Sequence, residues 1–232
     1  PLLVEKMQKN EAILQQWIKN NPSASSKSTV LTIPVVVHVV YNNSTENIST
    51  AQVQSQIDIL NEDFRRTNSD ASNTPSGFQG VAADTEIEFC LASTDPNGNS
   101  TDGITRTSTT QTSFGYSNDG VKYTSSGGID AWNTSEYMNI WVCDLSSGLL
   151  GYAQFPGGPA SSDGIVCDYA YFGNIGTATS PFDLGRTATH EVGHYLNLRH
   201  IWGDSNCGDD YCNDTPEHSG SNSGCPNYPS TS

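Results

Sequence analysis

The sequence of 232 residues predicts a mixed α/β (α+β) fold in which strands and helices share one core. Three observations carry that prediction. Leu31 to Tyr41 is dense in β-branched residues and reads as a buried strand. The segment after it places Val53, Ile57, Leu60 and Phe64 three and four residues apart, the stripe of a helix that lies along a sheet. Short strand-like runs follow, and a second helical pattern runs through Leu184, Ala188, Val192 and Leu196.

In chain order, Glu5 to Asn20 opens with Met7, Ala12, Ile13, Leu14, Trp17 and Ile18 at spacings that suit an amphipathic helix, stopped by Asn21-Pro22. A Ser-rich linker, Ser23 to Thr29, separates it from the first strand. Ser49 or Thr50 offers an N-cap for the long helix. Asn68 to Gly80 is turn-rich, Glu86 to Ala92 alternates like a half-buried strand, and Asp95 to Asp102 is loop. Tyr137 to Cys143 and Gly164 to Asp168 read as further strands, and Gly151 to Phe155 as an edge strand before Pro156-Gly157-Gly158-Pro159. Ser180-Pro181-Phe182-Asp183 combines a Ser N-cap, Pro at the first helical position and an acid in the first turn, so the last helix is expected to begin there.

Composition excludes several classes of partner. Ten basic against 25 acidic residues give a net charge of -15, which repels a phosphate backbone, so nucleic acid is not expected. The longest apolar run, Ile33 to Tyr41, falls far short of the roughly 20 residues a membrane span needs. Six cysteines, three of them (Cys207, Cys212, Cys225) in one loop, and abundant Ser, Thr, Asn and Gly point to an oxidising extracellular compartment and to disulfides.

The chemistry concentrates in His190-Glu191-Val192-Gly193-His194-Tyr195-Leu196-Asn197-Leu198-Arg199-His200. Four residues apart on a helix, His190 and His194 project within about 40° of each other and can share one metal ion. A catalytic zinc site takes three protein ligands and leaves a position open. His200 is the third candidate, and it converges only if the helix ends first. Asn197 stands where a left-handed helix-terminating residue is needed. Glu191, beside the first ligand, is suited to act as general base on zinc-bound water and to pass the proton to the leaving amine. His38, inside Val35 to Val40, reads as a satisfied core histidine, and His218 as a solvated loop residue.

HEVGHYLNLRH is similar to the long zinc consensus HExxHxxGxxH of the metzincin peptidases, and its surroundings resemble the pappalysin branch, especially its bacterial secreted members. Ile33 to Tyr41, Gln56 to Phe64, Asn139-Ile140-Trp141-Val142, Gly151 to Pro156, His200 to Asp204, Asp214-Thr215-Pro216 and Gly224-Cys225-Pro226 look like family landmarks, so the likeness spans roughly residues 31 to 226. It implies a twisted, mostly parallel five-stranded mixed sheet with a backing helix and an active-site helix, a cleft under an edge strand, and an irregular C-terminal subdomain after His200. It also implies His190, His194 and His200 as zinc ligands with Glu191 as base. Two departures stand out: Asn197 replaces the consensus Gly, and no Met follows His200, since Met7 and Met138 both precede the motif.

In these relatives the loop after the third His binds calcium, which for this chain implicates Asp210, Asp214, Thr215 and Glu217; the competing reading is an ordinary acidic loop. Residues 1–30 resemble the end of a pro-segment, or are a helical extension packed on the domain; no Cys precedes Cys90 to block the zinc. The expected division is 1–30 for that extension, 31–200 for the catalytic subdomain with the zinc helix, and 201–232 for the start of a C-terminal subdomain. The missing Met-turn is expected on a further segment, outside this chain or on a second chain after cleavage near Ser232. The function expected is that of a secreted zinc-dependent metalloendopeptidase acting on proteins or peptides. The alternative is a catalytically silent zinc-binding secreted module, against which Glu191 argues. An exopeptidase would need a group that anchors a chain end, and none is identifiable.

Overall fold

The computed structural model describes residues 2–20, 29–214, 218–221 and 224; the Ser-rich linker and the loop residues Thr215, Glu217 and Cys225 therefore lie outside it. The elements are α1 (Leu2–Asn20), β1 (Leu31–Tyr41), α2 (Thr50–Phe64), β2 (Ile87–Leu91), β3 (Ile104–Ser108), β4 (Met138–Cys143), β5 (Gly151–Ala153), β6 (Ile165–Asp168) and α3 (Arg186–Tyr195).

One mixed sheet runs β2-β1-β4-β6-β5, the five-strand width expected, and β3 adds a sixth strand beside β1. The strand β3 was not anticipated, because Ile104-Thr105-Arg106-Thr107-Ser108 is mostly polar. It pairs with Val37 to Tyr41 of the long β1, past Leu31 to Val35 where β2 pairs. All pairings are parallel except β5 with β6.

Both faces of the sheet are covered, which is why its central strands read as near-continuous apolar runs. Toward the helices point Val35, Val37, Val39, Met138, Ile140, Val142, Ile165 and Cys167, where they meet the α2 stripe and Ala188 and Val192 of α3. Toward the other face point Val40, Trp141, Cys143, Val166 and Tyr152, packed under Phe114, Val121 and Leu145. Ser49 caps α2, its side chain accepting from Gln52 N at 3.1 Å. His38 is satisfied as expected: Nδ1 lies 2.7 Å from Thr105 Oγ1 and Nε2 3.0 Å from Asn139 Oδ1.

Several expectations are corrected. The last helix begins at Arg186, not at Ser180; the Ser180-Pro181 bond is cis and residues 180–185 form turns. Tertiary contact overrides the local start signal. Gly185, at φ 69°, lies so close to α2 that a Cβ would stand 2.6 Å from Ile59 Cδ1, and its carbonyl accepts from Gln56 Nε2 at 3.0 Å. In α1 the apolar stripe does not face the body: Ile13, Leu14, Trp17 and Ile18 are 36–59% exposed, while Glu11 is buried at 6%. The Met7 side chain lies outside the described ones. His218 is half-buried rather than solvated, and its Nδ1 has no hydrogen-bond partner among the described residues. No disulfide forms among the described cysteines. Cys143 and Cys167 sit on neighbouring strands but pack on opposite faces, so they cannot pair.

Candidate active site

The helix that carries His190, Glu191 and His194 is placed by polar contacts with α2. Arg186 Nε lies 3.1 Å from Asp63 Oδ2, and Thr189 Oγ1 donates to the same oxygen at 2.7 Å. The loop before it is pinned by two buried glutamines. Gln52 Nε2 donates to Phe172 O at 2.9 Å, and Gln56 Oε1 accepts from Gly173 N at 2.7 Å. Amides on the first two turns of α2 thus serve as brackets for the chain that delivers α3.

The helix ends where Asn197 takes φ 77°. Leu198 N donates to Gly193 O at 2.9 Å and Asn197 N to His194 O at 2.9 Å. These are the two crossed bonds of a Schellman ending, whose left-handed residue is Gly or Asn. The turn brings His200 back. The Nε2 atoms of His190, His194 and His200 stand 2.9, 3.2 and 3.3 Å apart.

That spacing fits one ion: nitrogens about 2.0–2.1 Å from a tetrahedral zinc lie about 3.3 Å from one another. No other group of three or more His, Cys, Asp or Glu side chains among the described residues is so gathered. Two of the rings are oriented from behind, with His194 Nδ1 2.7 Å from Leu198 O and His200 Nδ1 2.5 Å from Asp204 Oδ1, the outer partners that fix a ligand's tautomer. Trp202 stacks on His200 at 4.3 Å between ring centroids. Burial pulls the pKa of His190 down to about 4, helped by its neighbours His194 and His200, and burial also lowers that of His194. Both offer neutral imidazole lone pairs at pH 7.

Glu191 is only 8% exposed, and desolvation raises its pKa to about 7. It lies under β5, so close that a Cβ on Gly151 would stand 3.0 Å from Glu191 Cγ. The cleft there has a volume of about 740 Å³ and is bounded by β5, the three histidines, Glu191 and the 116–122 segment, with Asn10 of α1 at its mouth. Tyr152 pairs with Val166, Leu150 O accepts from Asp168 N of β6, and Gln154 N donates to Gly164 O just before it. By antiparallel alternation, Gly151 and Ala153 turn their N–H and C=O groups to the free edge, facing the cleft.

Of the expected site residues, the three histidines and Glu191 come together. Asp210 and Asp214 do not join a cation cage among the described residues, and Thr215 and Glu217 lie outside them. Asp204, Gly151 and the buried Lys122 were missed. The i, i+4 spacing of His200 and Asp204 is the one local signal that would have found the first.

Fold and site together define a zinc metallopeptidase of the metzincin type. Residues 115–231 match the peptidase family model described as pregnancy-associated plasma protein-A. An extracellular metalloprotease of Arthroderma otae is 33% identical over 213 residues, covering 89% of this chain and 67% of the relative. Mature mirolysin of Tannerella forsythia, solved with a cleaved peptide, superposes with a TM-score of 0.86 at 57% identity, covering 89% of this chain and 78% of that one. A promirolysin mutant from the same organism gives 0.86 at 52% identity, covering 98% and 78%. The chain belongs to this family, the pappalysin peptidases, and is an extracellular zinc-dependent metalloendopeptidase. None of these matches supports a second chain, one of the two places the sequence offered for the missing Met-turn segment.

Proposed function

We propose that this chain cleaves polypeptides laid in extended form along the free edge of β5, with His190, His194 and His200 holding zinc and Glu191 carrying the proton. The observation that carries the reading is the convergence of three Nε2 atoms beside a buried carboxylate, directly under a strand edge that pairs with no other strand among the described residues. When bound, the ion supplies Lewis-acid polarisation of the scissile carbonyl and of water.

The residues do the rest. Gly151 and Ala153 pair with the substrate backbone, which sets its register independently of sequence. Glu191, a carboxylate whose pKa burial raises, is the group beside the three histidines placed to accept a proton and give it up to the departing amine. A silent binding module has no use for a buried acid here. Glu191→Ala should keep zinc and lose about 10²- to 10⁴-fold in turnover of a quenched peptide; substantial residual activity would assign the proton transfer to another group.

Residues 1–30 are read as a pro-segment remnant. Asn10 Nδ2 donates to Pro156 O at the cleft rim, and Glu11 Oε2 accepts from Asn197 Nδ2 at 3.0 Å and lies 4.0 Å from Arg199. The promirolysin match takes in nearly all of this chain, whereas the mature one stops short of that. Glu11→Ala should loosen α1 and raise basal turnover; unchanged turnover would leave α1 as mere packing.

A calcium ion at Asp210, Asp214, Thr215 and Glu217 rests on the oxygen-rich composition of that loop. Thermal melting of zinc-loaded protein with and without calcium tests it, and identical curves would remove it. A disulfide from at least one of Cys207, Cys212 and Cys225 to a cysteine outside the described residues is read in the same way from the extracellular setting. Intact mass with and without reductant decides that.

A further inference from the structure

We propose that Lys122 is a positioning residue for substrate, a strut that fixes the cleft edge of β5 without touching the reacting groups. The proposal rests on the reading of β5 as the edge along which peptide pairs.

Lys122 ends the short turn Gly120–Lys122 and is 1% exposed, an uncommon fate for a lysine. Its Nζ donates to Ser162 O at 2.7 Å, lies 3.4 Å from Asp119 Oδ1, and sits 5.4 and 5.1 Å from the ring centroids of Trp141 and Tyr152. Burial lowers its pKa, and Asp119 and Asp163 oppose that. Filling this space would need only a methionine or leucine. Burying an ammonium instead is costly unless its donors are used, so the donors are the reason for the lysine.

What they hold is the short chain between β5 and β6. Ser162 Oγ donates to Gln154 Oε1 at 2.6 Å, and Gln154 Nε2 donates to Pro159 O at 3.0 Å. Gln154 N bonds to Gly164 O at 3.0 Å, closing the ladder just beyond Ala153. Lys122 thereby links the 116–122 segment, the ring of Tyr152 on β5 and, through Ser162, the residue that follows β5. With only three residues, and one edge that pairs with no strand among the described residues, β5 has a short ladder to hold it in place. Fixing it beforehand removes an ordering cost that a bound peptide would otherwise meet.

The consequence is selective. A long peptide uses the edge on both sides of the cut, whereas a blocked dipeptide reaches little beyond the scissile bond. Lys122→Met in the full chain should lower kcat/KM on an octapeptide by about ten- to a hundredfold, mostly through KM, and on the blocked dipeptide far less. Zinc content should be that of the wild type. Ser162→Ala keeps the backbone carbonyl that Lys122 holds and removes the hydroxyl's link to Gln154 and its long contact to Pro159 O, so it should give a smaller loss with the same dependence on length. It also serves as the test if Lys122→Met does not fold. An equal loss on both peptides in the variant that folds, or no loss on either, overturns the assignment of Lys122. A wild type that gains nothing from peptide length overturns the edge reading itself, and the strut with it.

Discussion

Replacing Gly151 by alanine is the sharpest single test of how β5 and Glu191 are fitted together. The new Cβ would stand 2.9 Å from Val166 O, 3.0 Å from Glu191 Cγ and 3.2 Å from Thr187 Cγ2. Carbon atoms sit comfortably at about 3.5–4.0 Å, so each neighbour must yield by several tenths of an ångström. Val166 O is held in the sheet and Thr187 in the first turn of α3, which leaves two responses: β5 lifts outward, or Glu191 swings away. Both separate the carboxylate from a peptide paired on β5.

Overpacking of this kind costs about 1–3 kcal/mol of stability, a fall of a few degrees in Tm for a domain of this size. A displacement approaching about 1 Å costs up to about a hundredfold in rate. Gly151→Ala is therefore expected to lose about ten- to a hundredfold in kcat/KM on a quenched peptide while binding zinc like the wild type. The assay is peptide kinetics beside metal analysis and a melting curve, all below the transition. Wild-type kcat/KM with an unchanged Tm would refute the close fit of β5 on Glu191. Lost zinc would place the strain on His190 instead.

His200→Ala should lower zinc occupancy after dialysis, because two helix histidines leave the ion too open; full retention would contradict the third-ligand assignment. Asn197→Ala should destabilise the chain by about 1–2 kcal/mol, since φ 77° is strained for a residue with a Cβ, whereas Asn197→Gly should melt near the wild type. Equal melting of the two variants would contradict the left-handed helix ending. Burial lowers the folded pKa of His38 to about 4, below the unfolded 6.5, so the neutral ring adds stability that is complete above pH 6.5 and lost as pH falls through about 4. That amounts to about 3 kcal/mol across the window, and His38→Gln should flatten the acid limb of a denaturation series; an unchanged limb would show that another group governs it.

The sequence made most of this site legible because its ligands are local. His190, His194 and Asn197 obey helix geometry, and a lone Asn at the right place announces the turn that returns His200. Strands with both faces buried announced themselves as runs of Val and Ile. Where reading failed, distant contacts had decided the outcome. The start at Ser180-Pro181 satisfied every local rule, yet Gly185 wedged against Ile59 is what launches α3. The polar β3 is a strand because β1 is long enough to seat it. In α1 the spacing showed an amphipathic helix but not its anchor, since Glu11 reaches Asn197, a contact between residues 186 positions apart.

These failures share a physical cause that bears on how the site works. Gln52, Gln56 and Lys122 are buried polar groups and the Asp63 side chain is 7% exposed, and each is hydrogen-bonded to a loop or to α3. Apolar contacts are tolerant of small slides, whereas a buried amide or ammonium that loses its acceptor is penalised by about 1–3 kcal/mol or more. Such groups turn a packed core into a located one. In this chain they stand at the loop before α3, at α3 itself and at the end of β5. In the proposed arrangement the base rides on α3 while the substrate hangs from β5, so peptide hydrolysis needs those elements held within fractions of an ångström. Binary patterning of apolar and polar residues specifies that a sheet and a helix will meet; the buried polar residues specify where.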